Sequence, residues 1–367
     1  MNMLHEGQVI RSTYKVERFL GEGGFAEVYR VRHKFLGRQA MKIFKTVGMT
    51  LEEIERSLSE ATVLSRIGHP NIVRVFDANT TETSKGICGF FTMEYVAGGS
   101  LEQFWRSHSA QFVPADRAVD IIRQVCRGLA IAHAEQPPIV HRDIKPQNIL
   151  VGYDLAGLRV RVSDFGLAKH ANPLTLLVSA KGTRSFKSPE ALRNFQHDSC
   201  AGDVWALGST LYLLLTDRLP FCEVNESASI DSTRFERPII PPSRLNIQVD
   251  PYLDQIVLKC IAVNPQDRYQ NAMDVLRELD QWKPQPILTS KQGSTATSEA
   301  SKTALGIASP IDREKATEMV EQAKELARER GKLMEAADLM EEALNKWPDL
   351  RQKYEYLIKI WRRGISY

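Results

Sequence analysis

The sequence predicts an α+β fold with two lobes, a small antiparallel sheet followed by a larger helical body. Short β-rich segments, separated by turns that contain glycine, fill the first part of the chain. After the GGS at residues 98–100, segments with apolar residues at helical spacing dominate. The 367 residues, with 43% hydrophobic and 25% charged side chains, are too many for one ordinary core but average in composition. We therefore expect two or three folded units.

The first lobe is predicted from strands and one capped helix. Its strand segments are KVERFL, EVYRVRH, RQAMKIF, NIVRVFD and CGFFTMEYV. Thr50 and Glu53 have capping-box spacing and precede an apolar stripe between residues 51 and 64, which predicts a helix after the third strand. The second lobe is predicted from four helical segments, SLEQFWRSH, ADRAVDIIRQVCRGLAIAHA, VWALGSTLYLLL and YLDQIVLKCIA.

The last part of the chain is predicted to be a linker and a helical tail. Residues 283–308 are rich in Ser, Thr, Ala and Lys, without aromatics, and this composition is typical of a flexible linker. Ser309, Pro310 and Asp312 supply an N-cap, a first-turn proline and a first-turn acid, and three helical patterns follow within 309–367. Three such helices bury a small core, so we expect the tail to dock on the lower lobe or to bind a protein partner.

Charge and cysteine content exclude several classes of function. The net charge of +3 gives no support for nucleic-acid binding or a polybasic membrane anchor. No segment has the length of a signal peptide core or a membrane span. The cysteines have no CxxC spacing, which argues against a zinc site or a disulfide framework: Cys88, Cys126, Cys200, Cys222 and Cys260. We expect a soluble protein of the cytoplasm.

Two motifs of the first lobe could bind phosphate. GEGGFAEVY, residues 21–29, lies between two strands, and glycines there let backbone N–H groups approach an anion. A glycine-rich hairpin turn is the commoner interpretation of this motif alone. Lys42 in AMKIF lies between apolar neighbours and so faces the opposite side of its strand, with Glu60 as a possible partner. An ordinary solvent-exposed lysine would explain Lys42 equally well.

Two motifs of the second lobe could perform chemistry on a phosphoryl group. HRDIKPQN, residues 141–148, places Asp143, Lys145 and Asn148 between two apolar runs. An acid can accept a hydroxyl proton, a lysine can neutralise a phosphoryl group, and an amide oxygen can bind Mg²⁺. Asp164 in SDFGLAK follows another strand segment, although an isolated Asp-Phe-Gly is an ordinary turn.

The order of the motifs resembles that of the eukaryotic-like serine/threonine protein kinases of bacteria. The order is GEGGFAEV, AMKIF, Glu60, MEYV, HRDIKPQN, DFG, SPE and DVWALG, over about residues 10–282. The resemblance implies a bilobal protein kinase fold, with an N-lobe at about 10–96 and a C-lobe at about 97–282. The tail at 309–367 would form a small additional α-helical bundle, weakly similar to a tetratricopeptide hairpin.

By this resemblance the chain transfers the γ-phosphoryl group of Mg-ATP to Ser or Thr hydroxyls of protein substrates. Asp143 would be the catalytic base, Lys145 would steady the γ-phosphoryl group, and Lys42 would contact the α- and β-phosphates and be held by Glu60. Asn148 and Asp164 would hold Mg²⁺. The remaining ATP contacts would come from Leu20, Gly21, Gly23, Val28, Ala40, the gatekeeper Met93, the backbone of Glu94 and Val96, and Leu150.

The resemblance also implies regulation by phosphorylation. Arg142 would pair with a phosphate on the activation segment, placed by autophosphorylation on Thr175 or Ser179, while Thr183 would bond the catalytic loop. Support for the loop is expected from Asp203 on the central helix, and a buried ion pair is expected at Glu190 and Arg268.

Two other functions have the same fold. A pseudokinase would act as a protein-binding scaffold without catalysis, and a small-molecule phosphotransferase would act on a different substrate class. The complete set of catalytic motifs disfavours the scaffold, and the full-length activation segment disfavours the second alternative.

Overall fold

The N-lobe is a six-stranded antiparallel sheet. The computed structural model describes residues 2–107, 112–154, 157–165, 184–193, 198–221, 232–284, 310–329 and 331–365. The strands are β1 (Val9–Ile10), β2 (Tyr14–Glu22), β3 (Ala26–His33), β4 (Gly37–Val47), β5 (Val75–Thr83) and β6 (Gly86–Glu94). Their order in the sheet is β1-β2-β3-β4-β6-β5.

The predicted helix after the third strand is two helices in the structure. The capping box forms as predicted, since Thr50 Oγ1 accepts the N–H of Glu53 and the Glu53 side chain accepts the N–H of Thr50. Helix α1 (Leu51–Ser57) ends at Leu58, whose φ of −98° and ψ of 1° interrupt the helical geometry before α2 (Ser59–Ile67). Gly68 then closes α2 with a φ of 70°, a conformation that glycine adopts at little cost.

The strand predicted from NIVRVFD begins later than the pattern indicated. Residues 71–73 join the lower lobe instead: the N–H of Val162 donates to Asn71 O, the N–H of Val73 donates to Val162 O, and Ile72 forms a bridge with Val162. The buried Asn71 side chain donates to Val160 O at 2.8 Å. Because these residues pair with the lower lobe, only Val75 and the residues after it enter the upper sheet.

The C-lobe is mainly helical, with one hairpin facing the cleft. The hairpin strands β7 (Ile149–Asp154) and β8 (Gly157–Val162) follow the HRDIKPQN loop. The helices are α3 (Leu101–Arg106), α4 (Ala115–Ala134), α5 (Pro189–Arg193), α6 (Cys200–Thr216), α7 (Pro251–Cys260) and α8 (Ala272–Gln281). Helix α6 is buried around its whole circumference, and its core with α4, α7 and α8 also includes Ala61 and Leu64 of α2.

The C-terminal tail is a bundle of three helices, as its sequence pattern predicts. They are α9 (Pro310–Leu326), α10 (Leu333–Lys346) and α11 (Arg351–Arg362). Their core contains Val320, Met340, Leu344 and Trp361 together with Tyr153 of β7. The tail therefore docks on the same chain, as expected, and it contacts both lobes rather than the lower lobe alone. The predicted N-cap Ser309 and nearly all of the predicted linker lie outside the described residues.

Within the described ranges, every helix is too short or too polar to cross a membrane.

Candidate active site

Three predicted site residues meet in the loop that leads into β7. Asp143 Oδ2 lies 2.8 Å from Lys145 Nζ and accepts a hydrogen bond of 2.9 Å from Asn148 Nδ2. Asn148 Nδ2 also donates to the backbone oxygen of Asp143 at 2.8 Å, while Ser163 Oγ donates to Asn148 O at 3.0 Å. The structure therefore joins an acid, a cation and an amide at the entrance to one strand.

Asp164 connects this loop to the upper lobe. Its φ of 65° directs the backbone through the left-handed region, which is unusual for a residue other than glycine. Asp164 Oδ2 lies 2.7 Å from Lys42 Nζ on β4, across the cleft. Its other oxygen, Oδ1, is buried and has no hydrogen-bond partner among the residues that the structure describes. One carboxylate thus has one oxygen paired and one oxygen available to a ligand.

The predicted regulatory arginine contacts the upper lobe. Arg142, at a φ of 70°, donates from Nη1 to Glu60 Oε2 at 3.0 Å and lies 3.8 Å from Asp198. The predicted pair of Lys42 with Glu60 stays a prediction, because the contacts seen here join Lys42 to Asp164 and Glu60 to Arg142. The predicted residues Thr175, Ser179 and Thr183 lie outside the described residues.

The HRDIKPQN loop is supported from below by Asp203 of α6, which confirms that prediction. The buried carboxylate accepts the backbone N–H of His141 at 2.7 Å and that of Arg142 at 2.9 Å. Nε2 of His133 lies 3.0 Å away. Burial alone would raise the pKa of Asp203, but hydrogen bonds from His133 and the loop outweigh burial and lower the pKa below its ordinary value.

A buried ion pair supports the start of α5, which confirms the predicted partners. The two terminal nitrogens of Arg268 donate to the two carboxylate oxygens of Glu190, each at 2.7 Å. The Arg268 side chain is 0% exposed and also donates to three backbone carbonyls, those of Ala262, Val263 and Ala201. Burial opposes the charged carboxylate of Glu190, but Arg268 outweighs burial and lowers its pKa.

The predicted nucleotide contacts line one cleft between the lobes. The cleft has a volume of about 1400 Å³. Its lining includes all the predicted ATP contacts: Leu20, Gly21, Gly23, Val28, Ala40, Lys42, Met93, Glu94, Val96 and Leu150. Val28, Ala40, Met93 and Leu150 belong to one packed apolar cluster, which forms an apolar part of the cleft lining that we call the apolar slot.

The glycines of the cleft differ in the space that a β-carbon would have at each position. A β-carbon on Gly21 or Gly23 would meet nothing within 4 Å among the described residues, so both glycines border open volume. A β-carbon on Gly98 would lie 2.1 Å from Val151 O, so only glycine allows the interlobe segment, residues 94–98, to approach β7 this closely.

The tail contributes to the same cleft, and sequence reasoning missed this. Glu342, Asn345 and Lys346 of α10 lie along its edge. A signal was present: α10 carries acidic residues at helical spacing, and β3 carries Arg30 and Arg32 on one face. Complementary charge of this kind cannot by itself show which segments meet.

The comparisons identify the family of the chain. The protein kinase domain family matches residues 14–279, and the chain belongs to this family. The kinase domain of Mycobacterium tuberculosis PknI, solved as a mutant in which an alanine replaces a cysteine, is similar in structure, with a TM-score of 0.56 at 24% sequence identity. That match covers 76% of this chain and 98% of the other, and it supports the bilobal fold.

Curated bacterial proteins resemble the chain in sequence. A probable serine/threonine-protein kinase of Clostridium acetobutylicum is 33% identical over 281 residues, which cover 76% of this chain and 41% of that protein. The serine/threonine-protein kinase PknB of Mycolicibacterium smegmatis is 34% identical over 278 residues, with coverage of 74% and 43%. The chain thus aligns with less than half of each relative's length.

Proposed function

We propose that the chain is a serine/threonine protein kinase that transfers the γ-phosphoryl group of Mg-ATP to protein hydroxyls. The observation that carries the proposal is the convergence of Lys42, Asp143, Lys145, Asn148 and Asp164 on one cleft, from segments far apart in sequence. The names of the relatives support the same substrate class.

The nucleotide would bind with its base in the apolar slot and its phosphates under the glycine-rich turn. Val28 and Ala40 would pack on one face of the adenine and Leu150 on the other. The backbone of Glu94 and Val96 would provide hydrogen bonds to its edge. These roles explain why an apolar slot adjoins the open volume at Gly21 and Gly23.

The residues near the phosphates fit a magnesium ion. The unpaired Oδ1 of Asp164 is a hard, anionic ligand of the kind that Mg²⁺ prefers, and Asn148, which lines the same cleft, has an amide oxygen. Among the described residues no group of three or more His, Cys, Asp or Glu side chains could hold a metal, so the phosphates and water would supply the remaining ligands. When bound, the ion neutralises phosphate charge.

Asp143 would act on the substrate hydroxyl. Its carboxylate, held by Asn148, would accept the hydroxyl proton as the oxygen attacks the γ-phosphorus, and the bond from that phosphorus to the bridging β-phosphate oxygen would break to release ADP. Lys145, paired with Asp143 in this structure, would neutralise charge on the transferred group. Lys42 would orient the α- and β-phosphates, which keeps the γ-phosphorus in line with the attacking oxygen.

Activation would act through Arg142. A phosphate on Thr175 or Ser179 would compete with Glu60 for this guanidinium, since phosphate binds it bidentately. Glu60 could then pair with Lys42. We propose that the chain acts in the cytoplasm, where ATP is supplied, and a protein partner for the tail stays a prediction.

The proposal is tested by transfer of labelled phosphate from ATP to casein. Asp143→Asn should lower turnover by roughly 10² to 10⁴, with ATP affinity nearly unchanged, because it removes the base but not a nucleotide contact. Asp116→Asn, on the exposed start of α4, is the matched control and should behave as wild type. Wild-type protein that binds ATP but transfers no phosphate, like the Asn variant, would favour the scaffold function.

A further inference from the structure

The upper lobe presents a row of four arginines on neighbouring strands. Arg18 of β2 and Arg30 of β3 are direct partners across the antiparallel ladder, and like charges in this position repel. Arg32 and Arg38 extend the row. Within the lobe, Glu17 lies 2.6 Å from Arg30, 2.8 Å from Arg32 and 3.4 Å from Arg38. The Glu17 carboxylate therefore contacts three guanidinium groups, while Arg18 pairs with a different carboxylate.

Glu342 of the tail supplies that anion. Its Oε2 lies 2.9 Å from Arg18 Nη2, and its Oε1 accepts hydrogen bonds from Arg30 Nη1 and from the Tyr95 hydroxyl. The Glu342 side chain is 4% exposed, so these contacts operate largely out of water, where charge-assisted bonds are strongest. A single side chain thus joins β2 and β3 to the interlobe segment.

The helix that carries Glu342 is fixed to the lower lobe. The neighbouring Glu341 accepts the backbone N–H of Tyr153 on β7 at 2.9 Å. Asn345 Nδ2 donates to Gly98 O at 2.7 Å, where the interlobe segment meets β7. Helix α10 therefore contacts β7 of the lower lobe and also β2 and β3 of the upper lobe. Because one helix contacts both lobes, it restrains them relative to one another.

We propose that Glu342 is a positioning residue of the nucleotide cleft. Arg18 lies two residues before Leu20 and lines the cleft, as Glu342 itself does. By holding β2 and β3 against the interlobe segment, Glu342 keeps the glycine-rich turn above the nucleotide and sets the affinity for ATP. This inference rests on the proposed function, since it concerns the nucleotide of that reaction.

Steady-state kinetics of the full chain provide the first test. Glu342→Gln keeps the shape of the side chain but removes its charge. If the glutamine oxygen accepts the hydrogen bond from the Tyr95 hydroxyl, the amide nitrogen faces the Arg18 guanidinium, and two donors then face one another. We expect KM for ATP to rise about fivefold or more, with kcat within about threefold of wild type, as for a lost ground-state interaction. Glu342→Asp keeps the charge and should recover part of the affinity.

The matched control is Glu321→Gln. Glu321 lies on α9 and pairs only locally, with Lys324 at 2.7 Å among the described residues, so its loss should leave KM unchanged. An equal rise of KM in both variants, or a KM for folded Glu342→Gln within about twofold of wild type, would overturn the proposal.

Hydrogen exchange measured by mass spectrometry provides a second test that needs no activity. In Glu342→Gln without nucleotide, exchange should increase in residues 14–33, which form β2 and β3, while α9 and α11 keep wild-type protection. Increased exchange confined to the tail would mean that Glu342 only stabilises the bundle, and this would refute the proposal. If wild-type protein bound no ATP, the proposed function would fail, whereas this exchange result would still decide whether Glu342 restrains the upper lobe.

Discussion

Replacement of Asp203 by asparagine should destabilise the C-lobe and slow catalysis together. The buried carboxylate accepts backbone N–H groups of His141 and Arg142 through its two different oxygens. Asparagine has one acceptor oxygen, so its amide nitrogen must face one of these donors in either orientation. An unsatisfied buried donor costs about 1–3 kcal/mol, and losing one partner of a buried charged contact raises the total to about 3–5 kcal/mol.

The pH dependence of stability separates this mechanism from simple misfolding. The pKa of Asp203 is lower in the folded chain than its ordinary value of 3.8. Its contribution is therefore fully present above the ordinary pKa and is lost as pH falls through the folded pKa. Although burial lowers the pKa of its partner His133, Asp203 raises that pKa overall from 6.5 to about 9. The contribution of His133 is therefore full below pH 6.5 and declines as pH rises towards 9. Because asparagine does not titrate, the wild-type and variant free energies of unfolding should differ most between pH 3.8 and 6.5 and converge as the solution becomes more acid.

Urea denaturation at several pH values measures this difference, and phosphate transfer measures the effect on the loop. Displacement of Arg142 and Asp143 should lower kcat by roughly 10- to 100-fold, since small misplacements of a catalytic group are costly. Asp116→Asn again serves as the exposed control. If Asp203→Asn had the same midpoint of urea denaturation as the wild-type protein near neutral pH, the reasoning would be refuted.

Three further predictions concern other parts of the site. Asp164→Ala should weaken Mg²⁺-dependent ATP binding, and retention of wild-type Mg²⁺ dependence in a nucleotide titration would contradict the assigned ligand role. Glu190→Gln should lower the free energy of unfolding in urea by about 3 kcal/mol, because Arg268 stays buried without its counter-charge, and the deficit should shrink as pH falls. Mass spectrometry after incubation with ATP should find phosphate on Thr175 or Ser179, and full activity of the doubly Ala-substituted chain would count against that activation mechanism.

Local signals were sufficient to predict most of the fold. The capping box at Thr50 and the glycine-separated strands placed the upper lobe, because each reflects interactions between residues close in sequence. These local signals gave a wrong prediction where residues distant in sequence determined which sheet a segment joins. Asn71 and Ile72 have the pattern of a strand of the upper sheet, yet they bind β8 of the lower lobe, and no local pattern reports that competition.

The candidate site was predictable for a different reason. Asp143, Lys145 and Asn148 lie within six residues, so their proximity follows from the chain itself. The resemblance to kinases brought Lys42 and Asp164 to the same cleft, and the structure places them 2.7 Å apart. The partners of charged groups were harder to predict. Arg142 contacts Glu60 in the structure. Which carboxylate an arginine contacts depends on how distant segments of the chain pack, and the sequence around Arg142 does not report that packing.

The tail changes what should be regarded as the catalytic unit. The family match ends at residue 279, but α10, which lies beyond it, supplies carboxylates to arginines of the upper lobe. Arg38 pairs with Asp338 and Arg18 with Glu342, and each contact joins residues at least 300 positions apart in sequence. Arg18 and Arg30 face one another across β2 and β3, where like charges repel, so the carboxylates of α10 reduce the repulsion within the arginine row. The boundary of the family match and the boundary of the unit that these ion pairs join therefore differ.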